Sequence, residues 1–202
     1  MSECLLCQQP IASTATWKGL LGLEKEKEIC QHCSKNFQRA DIKGKDDVLD
    51  SITSLYAYNE AMQDYLHQFK FLQDVALATV FADELRSHLT GNATIVPIPM
   101  HPEKKRQRTF AQIDELLTAA RIPFIHLLEK TDTGSMGEKT KQQRLAIKPL
   151  FTIKSGTTIR PETYLLVDDI YTTGTTLRHA ANALKQAGAT RVEAVTLIRA
   201  GR

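Results

Sequence analysis

No apolar run in this 202-residue sequence approaches the roughly 20 residues that a membrane-spanning helix needs, so no membrane insertion is expected. The opening MSECLLCQQPIAS lacks both the basic head and the long apolar stretch of a secretory signal, which places the expected location in the cytoplasm. There is no internal repeat and no low-complexity tract. Nor is there a marked excess of either charge, since the net value of +3 does not by itself argue for nucleic acid. Cysteine is absent beyond residue 33. What is there is ordinary globular material, 42% hydrophobic and 24% charged, enough for one sizeable domain with a small appendage or for two small domains.

The cysteines form two knuckles, Cys4-x2-Cys7 and Cys30-x2-Cys33. Each C-x2-C turn can aim two thiolates at one point, and two such turns together give a closed tetrahedral site with no position left for water. The pattern reads as a structural Zn2+ ribbon or finger. Disulfides are the alternative, disfavoured in a chain without an export signal. His32 lies between Cys30 and Cys33 but reads as solvent-facing, because four sulfurs already suffice. The expected division is a zinc-binding unit over 1–45, in which metal supplies folding energy, and a second domain over 46–202. The polar stretch ADIKGKDDVLD reads as the linker.

Beyond it the chain alternates. A short strand near 55–58 is followed by a helix capped by Asn59, with Met62, Tyr65, Leu66 and Phe69 on one face. A second helix is predicted through VALATVFADELRSHL, a buried strand in ATIVPIP, a helix in FAQIDELLTAAR, and strands in PFIHLL and ETYLLVD. The next helix shows Leu177, Ala180, Ala181, Leu184 and Ala187 on one face with Gly188 as its C-cap, and RVEAVTLIR is a last strand. Such alternation predicts an α/β fold, a mostly parallel sheet with helices on both faces, whose ligands bind beyond the carboxyl ends of the strands.

One of those ends carries chemistry. In YLLVDDIYTTGTTLRHAANALKQAG an apolar strand runs into Asp168 and Asp169, and Thr172, Thr173, Gly174, Thr175 and Thr176 join it to a helix. Free N–H groups at a helix start hold phosphate, glycine permits close approach, and the threonine hydroxyls add donors. The loop is short and has no Walker A lysine, so a monophosphate fits. The two carboxylates suit vicinal hydroxyls or a metal ion. A phosphate and a diol a sugar's length apart describe ribose 5-phosphate.

LLVDDIYTTGTTL resembles the type I phosphoribosyltransferase signature almost position for position. Together with the cysteine knuckles, VPIPMHPEKKRQRTFAQ and QQRL, it makes nearly the whole chain similar to the ComF family of competence proteins. That resemblance implies a zinc finger fused to a phosphoribosyltransferase domain and a role in DNA uptake during natural transformation. It further implies phosphoribosyl pyrophosphate with Mg2+ as ligand, and a DNA-translocating ATPase or helicase as partner. By the same resemblance Pro97 to His101, including Pro99 and Met100, form the pyrophosphate loop, and residues 131–148 form the loop that closes over the site. The family string nearby is closer to RGFNQ, so Thr109 and Ala111 depart from it.

If the protein turns over, pyrophosphate leaves C1 of the ribose through an oxocarbenium-like transition state. Asp168 and Asp169 would hold the ribose hydroxyls directly or through Mg2+, and Lys104, Arg106 or Lys139 would meet the departing charge. The acceptor base has no signature in the sequence. One rival is a non-enzymatic adaptor that grips single-stranded DNA through the basic runs HPEKKRQRTF and EKTKQQRLAIK. Another is a purine-salvage phosphoribosyltransferase, which leaves the cysteines unexplained.

Overall fold

The structure is a computed structural model, described over residues 2–11, 17, 21, 27–100, 106, 108–131 and 149–201. Among the described residues of the cysteine-bearing N-terminal unit is the short helix α1 (Gln31–Asn36). The sheet strands β1 (Arg39–Gly44) and β2 (Ser51–Ala57) follow, then α2 (Glu60–Lys70), a 3-10 turn (Val75–Thr79) and α3 (Ala82–His88). The chain continues through β3 (Thr94–Pro97), α4 (Gln112–Ala119), β4 (Leu128–Lys130) and β5 (Phe151–Ile153). It closes with β6 (Thr163–Tyr171), α5 (Thr175–Gln186) and β7 (Arg191–Arg199).

Five strands form one sheet in the order β1-β2-β7-β6-β3. β2, β7, β6 and β3 are parallel and only β1 runs against its neighbour, so the carboxyl ends of four strands share one edge. β4 and β5 make a separate antiparallel pair. Strand alternation divides the core between the two faces. Leu165 and Val167 of β6 join Tyr65, Phe69, Leu85 and Leu117 on the face covered by α2, α3 and α4. Tyr164 and Leu166 join Leu177, Ala180 and Leu184 of α5 on the other. Between β2 and β7 the buried hydroxyls of Ser54 and Thr196 satisfy each other at 2.8 Å.

The expected helix start at Asn59 is present. Its side-chain oxygen accepts from the Met62 N–H at 3.0 Å, and its amide donates to the Asn36 carbonyl at 2.8 Å, tying α2 to the cysteine unit. Pro97 sits in β3 at the sheet edge, where a missing N–H costs least.

Four expectations change. The stretch read as linker contains β1, which is paired to β2, so the sheet begins at Arg39, before the expected boundary at 45/46. The helix expected over 75–89 is split into the 3-10 turn and α3, which lets Leu77, Phe81 and Leu85 all reach the core. PFIHLL is not a strand over its length. Ile125 and His126 are exposed, only Leu127 and Leu128 are buried, and the strand begins at Leu128. Ala187 follows α5 as its C-cap and is exposed rather than part of the apolar face.

Candidate functional site

At the shared edge β6 gives way to α5 through residues 172–174. Gly174 caps the helix in the left-handed region, φ 74°, with no side-chain hydrogen bond to the first turn. The leading N–H groups of α5 therefore face outward without a capping partner, with the positive end of the helix dipole behind them. A Cβ on Gly174 would overlap the ring and hydroxyl of Tyr171, so glycine is required by both conformation and space. Tyr171 is buried and packs as a floor, with the Arg199 guanidinium 4.0 Å from its ring centroid. Thr172, Thr173 and Thr175 are exposed and Thr176 half-buried. The Thr173 and Thr175 hydroxyls lie 2.9 Å apart, and Arg178 braces the turn by donating to the Thr173 carbonyl at 2.7 Å. Arg178 also reaches Asp46, whose other carboxylate oxygen accepts from the N–H groups of Val48 and Leu49.

Asp168 and Asp169 stand just before this turn, both half-buried. The Asp169 N–H donates to Asp168 Oδ1 at 2.9 Å. Burial, and then the neighbouring Asp169 charge, push the Asp168 carboxyl up to about 7, against the opposing pull of that N–H, Lys70 and Lys130. Lys70, the last residue of α2, forms an ion pair with Asp169, and both side chains are largely shielded from solvent. Two carboxylates at a polar mouth, one poised to lose its proton near neutrality, make an oxygen donor set that fits Mg2+ or a sugar diol.

Pro99 and Met100 lie half-buried on the segment that continues β3, and the Ile98 N–H bonds to the Val167 carbonyl, which sets that segment beside the carboxyl end of β6. Arg106 is exposed. His101, Lys104, Lys139 and the expected closing loop lie outside the described residues, apart from Thr131. Lys70, Lys130 and Arg178 were not identifiable in advance, because each meets the motif only through the fold.

The four cysteines form a second constellation. The sulfurs of Cys4, Cys7, Cys30 and Cys33 all lie within 4.8 Å of one another, and none is in a disulfide. Cys7 and Cys30 are 3.7 Å apart, against an edge of about 3.8 Å for a tetrahedron with 2.3 Å metal–sulfur bonds. Burial raises the Cys4 thiol, but N–H groups of Cys30, Cys7 and Leu6 outweigh it and bring it down to about 6, while burial and the neighbouring sulfurs push Cys33 up. Cys30 also serves as the N-cap of α1. His32 is exposed and outside the cluster.

Residues 110–202, which carry the turn and the acid pair, match the phosphoribosyl transferase domain family. Over 98% of its length the chain is 33% identical to the whole of "Competence protein ComFC" of Streptococcus pneumoniae (strain ATCC BAA-255 / R6). The chain belongs to the ComFC family of competence proteins. The ComFC of Bacillus subtilis (strain 168) is 27% identical over 97% of this chain and 94% of its own. Among solved structures, the allosteric regulatory enzyme of purine biosynthesis aligns with a TM-score of 0.42 at 20% identity, over 59% of this chain and 25% of that one. Adenine phosphoribosyltransferase from Leishmania donovani aligns with a TM-score of 0.42 at 12% identity, over 84% and 78%.

Thr109 and Ala111, the two departures expected from the sequence resemblance, fall where the backbone makes a demand. Thr109 has φ 60°, a conformation that suits glycine and strains a β-branched residue. Ala111 is the N-cap of α4 and offers no side-chain cap, where asparagine would. Both positions therefore bear on local backbone stability.

Proposed function

We propose that this ComFC-family protein binds phosphoribosyl pyrophosphate with Mg2+ at the β6–α5 turn, carries a structural Zn2+ on its four cysteines, and handles single-stranded DNA during natural transformation in the cytoplasm. The observation that carries the proposal is the uncapped start of α5 at Gly174, directly after the acid pair at the carboxyl end of a central parallel strand. The backbone N–H groups of Thr175 and Thr176, with the threonine hydroxyls, would hold the 5-phosphate. Asp168 and Asp169 would accept from the ribose hydroxyls or hold the metal. When bound, Mg2+ would be held by these carboxylates and would supply charge neutralisation to the leaving group.

For Asp169 to take up that role its ion pair with Lys70 must loosen, which frees an ammonium beside the incoming anion. The buried Tyr171 floor and Gly174 set how closely the sugar phosphate can approach. The match to a phosphoribosyl transferase domain supports transfer to an acceptor as the reaction class, and the likeness to competence proteins supports DNA handling, for which a DNA-translocating ATPase would be the partner. Calorimetric titration of phosphoribosyl pyrophosphate with and without Mg2+ tests the reading. Saturable, Mg2+-dependent binding that ribose 5-phosphate competes for is expected, and no heat of binding with Mg2+ present would refute it.

A further inference from the structure

Beside the acid pair the chain exposes a cluster of apolar groups. Phe71 and Leu72 are 63% and 65% exposed, immediately after the Lys70 that pairs with Asp169. Phe71 is not loose surface. The Arg108 guanidinium lies 5.2 Å from its ring centroid, and the His67 ring centroid lies 5.6 Å away. The two loops that bring Phe71 and Arg108 together are joined by a hydrogen bond of 3.0 Å from the Thr109 hydroxyl to Gln73, and both those residues have positive φ, 60° and 57°. Behind them Phe69 and Phe110 pack at 5.5 Å, fixing the loops to the core. Strained backbone kept at two facing positions, to hold an exposed ring under a cation, calls for an occupant.

We propose that Phe71 and Arg108 form a stacking platform for a base of single-stranded nucleic acid, at the mouth of the phosphoribosyl site. An aromatic face accepts any base, and the guanidinium adds cation–π and phosphate contacts, the combination that sequence-tolerant single-strand binders use. The surroundings match the charge of a nucleic-acid backbone. Arg106 and Arg108 lie on the facing segment, while Lys70, one residue before Phe71, is held in its ion pair with Asp169. The inference rests on the DNA-handling part of the function proposed above and adds to it a specific surface.

The test uses the full chain and a fluorescein-labelled oligothymidylate of about 16 nucleotides, the upper range of such sites, read by anisotropy. Phe71→Ala should weaken binding by about 10-fold, since stacking on one aromatic has that order of worth, while Phe71→Tyr should restore it. Arg108→Gln should lower the slope of log affinity against log salt by roughly 0.7 for one lost phosphate contact. In Phe71→Trp the new indole should be quenched on binding. The stabilisation by phosphoribosyl pyrophosphate with Mg2+ should be unchanged in Phe71→Ala, which separates this surface from the site beside it. Equal affinity of wild type and Phe71→Ala with no indole quenching would overturn the platform alone. No oligonucleotide binding by the wild type would overturn the DNA-handling reading with it. Loss of a protein partner in Phe71→Ala, with oligonucleotide binding intact, would assign the patch to a protein surface and overturn the proposal.

Discussion

The cysteine-bearing unit and the sheet domain solve the problem of stability in different ways. In the sheet domain two apolar clusters, one on each face, bury side chains such as Leu55, Met62, Leu166 and Leu184 completely. In the cysteine unit α1 has no buried residue, and the buried apolar groups among its described residues are chiefly Cys4, Ile11 and Phe37. A core that small does not repay the entropy of ordering the chain. On the function proposed above, Zn2+ on the converging sulfurs would take its place, and metal binding would become folding energy there. The lesson is one of placement. The domain with a surplus of core tolerates an acid pair, an uncapped helix and strained loops at its sheet edge, whereas the cysteine unit gathers its four thiols at one point.

The largest effect should come from taking that replacement away. Chelation, or Cys30→Ser, is expected to release the metal and unfold the first 36 residues while the sheet domain keeps its ligand-induced stabilisation. Metal content and hydrogen exchange followed together would show this, and cooperative loss of both regions would break the comparison. Next in size is Phe37→Ala. Phe37 follows α1 yet packs edge-on against Phe81 at 5.0 Å and against Tyr56 and Tyr65, and with Leu5, Leu6 and Ile29 it joins the cysteine unit to the sheet-domain core. About 3 kcal/mol of sheet-domain stability should be lost in denaturant titrations, with metal content retained.

A smaller effect separates structure from function at the sheet edge. Because the Asp168 carboxyl is raised to about 7, the folded protein holds that proton more tightly than the unfolded chain. The sign follows. Its favourable contribution is fully present below the ordinary carboxylate range and is lost as pH rises toward 7. Ligand-free stability should therefore fall across that window, more steeply than in Asp168→Asn, while affinity for a Mg2+-bound ligand should rise over the same interval. Thermal scans from pH 5 to 8 with and without ligand would check both directions. Smallest of all, Ala111→Asn should supply the missing N-cap of α4 and add about 1 kcal/mol, visible as a modest rise in Tm without change in ligand binding.

The β6–α5 turn was legible because its signal is local: a continuous apolar strand, two acids, then hydroxyls around a glycine that has to adopt positive φ. The helix at Asn59 was legible for the same reason. β1 was not. It is an edge strand whose residues are almost all exposed, so no apolar alternation marks it and its polar composition imitates a linker. The break between the 3-10 turn and α3 was hidden because both pieces are apolar and share a helical period. Around the site, Lys70 meets Asp169 from a distant helix, and the demands at 109 and 111 emerge only from backbone angles. Long-range pairings of this kind leave no mark in spacing.

The central claim, that the β6–α5 turn and its acid pair form a phosphoribosyl site, is met most directly by thermal unfolding with and without phosphoribosyl pyrophosphate and Mg2+. Wild type is compared with a variant carrying both Asp168→Asn and Asp169→Asn. At about a hundred times its dissociation constant the ligand should stabilise wild type by about 2.7 kcal/mol, a rise of about 6 °C for a chain of this length, and leave the variant unmoved. An equal rise in both, or none in either, would contradict the assignment.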